Sequence, residues 1–187
     1  KMYTKGVSSV LDYSVEGKEE EAQFDAALNM TLKTIEFARE REAIPFAVFK
    51  PTGFGRLALY EKVGDKAHLT ENEQKEWNRV IERFDIACKT AFEKDVLLLI
   101  DAEESWMQDA ADAIVTDMMR KYNKQKAIVF NTLQMYRWDR LDYLKNLHDQ
   151  AKAEGFFIGM KLVRGAYMEK ENERAEARGL KSPICVS

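Results

Sequence analysis

The chain has 187 residues, 45% of them hydrophobic and 33% charged, with a formal net charge of −3; that is one domain with a sizeable core, neither disordered nor fibrous in composition. The mild acidity and the lack of any basic block argue against nucleic acid as a partner, and no apolar run approaches the roughly 18 residues that span a bilayer. Two cysteines, Cys88 and Cys185, and two histidines, His68 and His148, lie at no metal-ligand spacing, which speaks against a zinc site, a histidine triad or a disulfide scaffold and for a reduced compartment.

No secretory signal is visible. The chain opens on Lys1 rather than methionine, so a further N-terminal stretch is expected. Residues 6–13, with Val7, Val10, Leu11 and Tyr13, predict a short strand, with Asp12 and Ser14 near its end. Gly17 breaks the pattern, and residues 18–41 predict a helix. Phe24, Ala27, Leu28, Leu32, Ile35 and Phe37 form its apolar face, and Glu19, Glu20 and Glu21 load its first turn, where the helix dipole favours anions. A second strand is expected over 44–49, stopped by Pro51; Gly53 and Gly55 read as hinges of the loop that follows. A short helix over 57–62 comes next. Thr70 and Glu73 form a capping-box start for a long helix to about Phe92, with Trp77, Val80, Ile81, Phe84, Ala87 and Cys88 inward.

Residues 96–100 are wholly apolar, as in a parallel strand covered on both faces. Ser105 is a candidate cap for the helix that runs to Tyr122. A fourth strand over 127–130 leads to a helix over 136–153, which Gly155 stops. A fifth strand over 156–163 ends in a turn, and a charge-rich helix over 169–178 follows. The aromatic residues Trp77, Phe84, Trp106 and Trp138 read as packing groups. Strand and helix alternate five times, which implies a parallel sheet with right-handed crossovers. No glycine-rich dinucleotide fingerprint or phosphate-loop lysine is present, so a dinucleotide fold of the usual kind is unsupported.

Four strands end in polar residues: Lys50, Asp101 with Glu103, Asn131 with Gln134, and Lys161 with Arg164. In a (β/α) barrel the carboxyl ends of the strands form one mouth, and chemistry sits there. Each residue has an ordinary alternative: a solvated lysine, an acidic helix cap, an amide that caps backbone. Their shared position carries the argument. Gly165, inside the last turn, suits a positive φ or a close backbone approach to a ligand.

These strand ends resemble the proline dehydrogenase family in order and spacing. The matching stretches are Val48-Phe49-Lys50, Leu99 to Glu104, Val129 to Gln134, and the octamer Lys161-Leu162-Val163-Arg164-Gly165-Ala166-Tyr167-Met168; the likeness extends from Gly6 to about Ile184. Asn131, Lys161 and Met168 look closer to the mitochondrial enzymes than to the bifunctional bacterial ones. The resemblance implies an α/β fold of (β/α)₈ TIM-barrel type with about five of the eight βα units present. Residues 1–187 would then be the N-terminal part of the barrel domain. The later strands, and a last helix whose tyrosine and paired arginines clamp the substrate carboxylate, would be missing, leaving a piece that is incompetent alone.

The resemblance further implies FAD as cofactor and oxidation of L-proline to pyrroline-5-carboxylate by hydride transfer, the first step of proline catabolism. Lys50 would meet the substrate carboxylate, Asp101 would shape the proline site, and Leu162, Ala166 and Tyr167 would line the ring pocket. Asn131, Gln134, Lys161, Val163, Arg164 and Gly165 would contact the cofactor, with Lys161 beside the reactive flavin nitrogen. A quinone would accept the electrons, with peripheral membrane contact at the bacterial inner membrane or the matrix side of the mitochondrial one. Two other readings stay open: a Schiff-base aldolase or lyase using Lys50 or Lys161, and an inactive barrel piece serving as a scaffold.

Overall fold

The computed structural model describes residues 2–12 and 19–185. Five strands, β1 (Val10–Asp12), β2 (Phe46–Phe49), β3 (Leu97–Ile100), β4 (Val129–Gln134) and β5 (Met160–Val163), form one parallel sheet in sequential order. Between and after them run α1 (Glu21–Ala38), α2 (Leu57–Gly64), α3 (Glu71–Glu93), α4 (Ser105–Tyr122), α5 (Arg140–Glu154) and α6 (Met168–Arg178). Sequential parallel order is the arrangement of a barrel wall, in contrast to a doubly wound sheet, whose strand order reverses. The expected α/β fold with five βα units is what the chain adopts.

The sheet is strongly curved. Phe46 on β2 and Phe130 on β4 meet edge to face at 5.2 Å between ring centroids, although β3 lies between their strands. Strand alternation therefore defines two faces. Phe46, Val48, Leu97, Leu99, Phe130, Thr132, Lys161 and Val163 share the concave face by register. Ala47, Phe49, Leu98, Ile100 and Val129 turn to the helices and are buried with Phe54, Phe84, Ala87, Met107, Ala111 and Val115. The stacked pair Phe49–Phe54, with Phe84 edge-on to both, anchors α3 to β2.

The helix ends follow the expected chemistry with adjustments. Thr70 caps α3 through the Glu73 N–H while Glu73 reaches back to Thr70, a full capping box. Gly155 closes α5 at φ 68°, the left-handed position that glycine fills without strain. The first strand is shorter than residues 6–13, because Gly6 at φ 75° closes a 3₁₀ turn instead. Tyr13, Ser14, Gly17 and Lys18 lie outside the described residues. The first helix starts later than expected, where Glu20 and Gln23 form a capping box. Ile81, Phe37 and Trp138 are exposed, not inward: Phe37 lies under the Arg41 guanidinium at 3.6 Å, and Trp138 lies under Lys181 at 4.5 Å, partners that an apolar periodicity does not register.

β4 extends through its polar end to Gln134, whereas β5 begins only at Met160. Gly159 stands at the entry to β5: its carbonyl accepts from the Asn131 N–H at 3.0 Å, and a Cβ there would stand 2.5 Å from the Val129 carbonyl oxygen and 2.7 Å from the Phe130 ring, so only glycine fits against β4 at this point. Gly55 is likewise no hinge, since its Cβ would meet Val80 Cγ2 at 2.5 Å.

α6 does not cover the outer side of β5. It lies over the strand ends, where Lys170 pairs with Glu104, Arg174 with Glu61, and the Arg174 guanidinium sits 4.3 Å from the Trp106 ring. Only Glu171 and Ala175 of α6 are buried, as suits a helix polar all round. Its placement leaves Leu162 65% exposed.

Candidate active site

The mouth of the curved sheet gathers the expected residues unequally. Alternation continued one residue past β2 and β3 brings Lys50 and Asp101 to the concave face, beside Thr132 and Lys161, which are register partners on β4 and β5. Lys161 Nζ forms an ion pair with Asp101 Oδ1. Thr132 Oγ1 donates to the Ile100 carbonyl at 2.9 Å and lies 3.4 Å from Asp101 Oδ1. A cation, a carboxylate and a hydroxyl from three successive strands thus meet at one point, partly open to solvent.

Asn131 and Leu162 stand on the opposite faces of their strands, toward the helices. Asn131 is fully buried. Its amide nitrogen donates to Asp112 Oδ1 at 2.9 Å and lies 3.3 Å from the Tyr143 hydroxyl, while its oxygen accepts from the Thr132 N–H at 2.8 Å. Gln134 is on the concave side but also committed: its amide nitrogen donates to the Glu103 carbonyl at 2.6 Å and to the Tyr136 hydroxyl at 2.8 Å. Both amides brace the strand ends.

The octamer, which begins within β5, is largely exposed, with Lys161, Val163 and Tyr167 half-buried. Among the described residues no carboxylate pairs with the Arg164 guanidinium. Gly165 does not have a positive φ. A Cβ there would stand 2.5 Å from Met168 Sδ, so the close approach it permits is to its own turn. Ser105 does not cap α4. Glu104 is the cap residue, and the Ser105 N–H and Oγ both donate to Glu171 at 2.6 Å, which ties α6 to the start of α4.

Two participants carried little sequence signal, and a third, Glu103, was legible as a polar strand end but not in its buried setting. Thr132 reads as an ordinary strand threonine unless the strand is extended and its parity followed. Asp112, 4% exposed and bonded to Gln108, Asn131 and Arg140, shares its helix face with Gln108, Asp109 and Thr116 and so reads as part of an ordinary polar stripe. Glu103 reads as a helix-capping acid, yet it is 2% exposed and accepts from Thr52 N at 2.9 Å and Thr52 Oγ1 at 2.7 Å. Burial pushes its carboxyl up to about 7, because desolvation disfavours the charged form.

These residues carry the chemistry to bind anionic groups. Lys50 offers a half-buried ammonium at one side of the mouth, and Lys161 offers another beside Asp101. Arg164 presents a planar fork of donors of the kind that grips phosphate oxygens.

A family profile described as Proline dehydrogenase matches residues 1–187. The chain is 39% identical over 166 residues to the carbapenem antibiotics biosynthesis protein CarD of Pectobacterium carotovorum subsp. carotovorum, covering 89% of this chain and 44% of that one. It is 40% identical over 118 residues to the mitochondrial proline dehydrogenase 1 of Drosophila melanogaster, covering 63% and 17% respectively. Among solved structures, proline utilization A of Bradyrhizobium japonicum (mutant D779Y) superposes with a TM-score of 0.80 at 17% identity, over 97% of this chain and 19% of that one. The enzyme of the same name from Bdellovibrio bacteriovorus gives 0.78 at 18% identity, over 95% and 19%. The chain thus spans less than half the length of these relatives.

Proposed function

Because this chain belongs to the proline dehydrogenase family, we propose that it forms the N-terminal part of a flavin-dependent barrel enzyme that oxidises L-proline to pyrroline-5-carboxylate, the first step of proline catabolism. The observation that carries this reading is the convergence of Lys50, Asp101, Thr132 and Lys161 on one concave mouth. Lys161 and Arg164 suit FAD by charge: one cation lies at the sheet surface, and the other is unpaired among the described residues at the turn beyond it.

FAD, when bound, supplies the hydride acceptor. The chain binds, orients and tunes. Lys50 meets the substrate carboxylate, which fixes one end of the ring. Asp101 shapes the pocket wall and holds Lys161 in place. Lys161 supplies positive charge where negative charge accumulates as the substrate is oxidised. Ala166 and Tyr167 extend the pocket over the ring, with Leu162 beneath the turn that carries them. Val163, Arg164 and Gly165 line the cofactor side. Asn131 and Gln134 stand at that end of β4, held by Asp112 and Glu103.

The Schiff-base alternative requires a neutral amine. Lys161 is instead committed to an ion pair with Asp101, so the geometry favours the flavin reading. A quinone acceptor and contact with a membrane face, mitochondrial or bacterial, complete the proposal; the Drosophila and human relatives are named mitochondrial. No helix among the described residues is long and apolar enough to cross a membrane, which fits a peripheral association.

The test is the anaerobic visible spectrum of the full-length protein before and after L-proline. Bleaching of a bound flavin is the expected result. A flavin that stays oxidised moves the substrate elsewhere, and a protein that cannot be loaded with FAD defeats the reading.

A further inference from the structure

The turn after β5 carries much of the proposed site, yet Arg164, Gly165 and Ala166 are exposed. The turn is tied down at its two ends. Upstream, Val163 is the last residue of β5 and the register partner of Gln134, and its carbonyl accepts from the Met135 N–H at 2.9 Å. Downstream, Tyr167 opens α6, a helix of which only Glu171 and Ala175 are buried. Glu171 is 2% exposed, and its carboxylate is committed to a different helix. One oxygen accepts from the Ser105 N–H and the other from the Ser105 hydroxyl, both at 2.6 Å and across 66 positions of sequence. The N-cap residue of α4, Glu104, makes no side-chain cap bond of its own, so a carboxylate from α6 takes that place. It satisfies an amide that has no partner within the helix and sits at the positive end of the α4 dipole. α6 also pairs with Glu104 through Lys170 and with Glu61 through Arg174 and Arg178. Lys170 and Arg178 are more than half exposed, and pairs of that kind hold little; Arg174 acts nearly one turn further from the site.

We propose that Glu171 is a positioning residue for cofactor binding: by capping α4 from α6 it fixes the downstream end of the turn, and with it the direction in which Arg164 faces the phosphate groups of the cofactor. This rests on the reading above, in which Arg164 lines the cofactor side. The effect of Glu171 runs through Arg164 and leaves the substrate untouched. What Glu171 sets is the fraction of molecules in which the turn is seated. A ligand that needs the seated turn binds with an apparent affinity reduced by that fraction.

The measurement is the Kd of FAD for the full-length protein, stripped of flavin and titrated back while flavin fluorescence is followed. Glu171→Gln keeps the size but leaves one acceptor oxygen for the two Ser105 donors, and the Kd is expected to rise about tenfold. Ser105→Ala removes the hydroxyl bond and keeps the N–H bond, so a rise of about threefold is expected; this variant serves even where Glu171→Gln folds poorly. In an Arg164→Ala background, itself weakened for FAD, Glu171→Gln is expected to add less than about twofold, because the two residues act on one contact. A Kd unmoved by both Glu171→Gln and Ser105→Ala overturns the proposal, and the cofactor role of Arg164 then stands if Arg164→Ala still weakens FAD. A full loss from Glu171→Gln in the Arg164→Ala background also overturns it, since Glu171 would then support the fold at large. Undiminished FAD affinity in Arg164→Ala removes the cofactor role of Arg164 and the proposal with it. Failure of the flavin reading as a whole shows earlier, in a wild-type protein that takes up no FAD.

Discussion

Asp112 on α4 and Arg140 on α5 face each other with Arg140 Nη1 2.7 Å from Asp112 Oδ2, and both are at least nine-tenths buried. The same carboxylate holds the Asn131 amide and Gln108, so this helix-to-helix pair also fixes a residue at the end of β4. Burial pulls Asp112 up and Arg140 pulls it down, and the net direction is up. Such a pair adds little stability compared with apolar packing, but it is costly to break from one side.

Asp112→Ala should therefore cost about 2 kcal/mol or more, because it leaves the buried Arg140 guanidinium with Asp139 and the exposed Asp109 and the buried Asn131 amide with the Tyr143 hydroxyl. The double change Asp112→Leu with Arg140→Met should recover much of that loss. Urea unfolding of the two variants decides the matter; a single mutant within about 1 kcal/mol of wild type would show that water reaches the α4–α5 groove and screens the pair.

Two glycines at the mouth separate by what their missing Cβ would touch. At Gly159 the obstacles are the Val129 carbonyl oxygen and the Phe130 ring, at 2.5 Å and 2.7 Å. At Gly165 the obstacle is the end of the Met168 side chain, which can rotate away. Gly159→Ala should destabilise by about 2 kcal/mol or more, because backbone must move, and Gly165→Ala by less than about 1 kcal/mol. Equal melting temperatures for the two variants would contradict the close fit of Gly159 against β4.

Lys161→Met removes the partner of Asp101 and one of the cations on the concave face. If Lys161 balances charge that appears during oxidation, kcat should fall by about tenfold or more while KM changes less. The midpoint potential of the bound flavin should fall as well, since the reduced state loses its stabilising charge. A dye-coupled anaerobic titration measures this. An unchanged potential would place Lys161 in structural support of Asp101 instead.

The order of elements was legible because strand runs such as Leu97–Ile100 and helix starts such as Thr70 with Glu73 carry their own local physics. The polar strand ends were legible as a group, since apolar burial gives no reason for them. What stayed hidden was direction. A one-residue change of parity separates Lys161, which meets Asp101, from Leu162, which turns to the other face, and it separates Thr132 from Asn131. Parity depends on where the ladder begins, and at that point the close fit of Gly159 against β4 is a contact that no local pattern records. The partner of Trp138 and the seat of α6 over the mouth are likewise long-range ionic and ring contacts between residues that read alone as ordinary surface groups.

Glu103 gives a pH dependence whose sign follows from its environment. Folding raises its pKa from 4.5 to about 7, so the folded protein holds this proton more tightly than the unfolded chain. The stability that follows is fully present below the unfolded value and is lost as the pH rises through about 7. Glutamine cannot ionise and escapes the loss. Wild type and Glu103→Gln should therefore diverge between about pH 4.5 and pH 8 in favour of the variant, by up to roughly 3 kcal/mol, the linkage equivalent of that shift. The two Thr52 bonds lower the pKa and are already contained in the value; Thr52→Val should thus widen the gap at the alkaline end. Denaturant midpoints at several pH values give the answer. Parallel curves would mean that the carboxylate ionises at its ordinary value, which its burial against Thr52 and Tyr60 would then fail to explain.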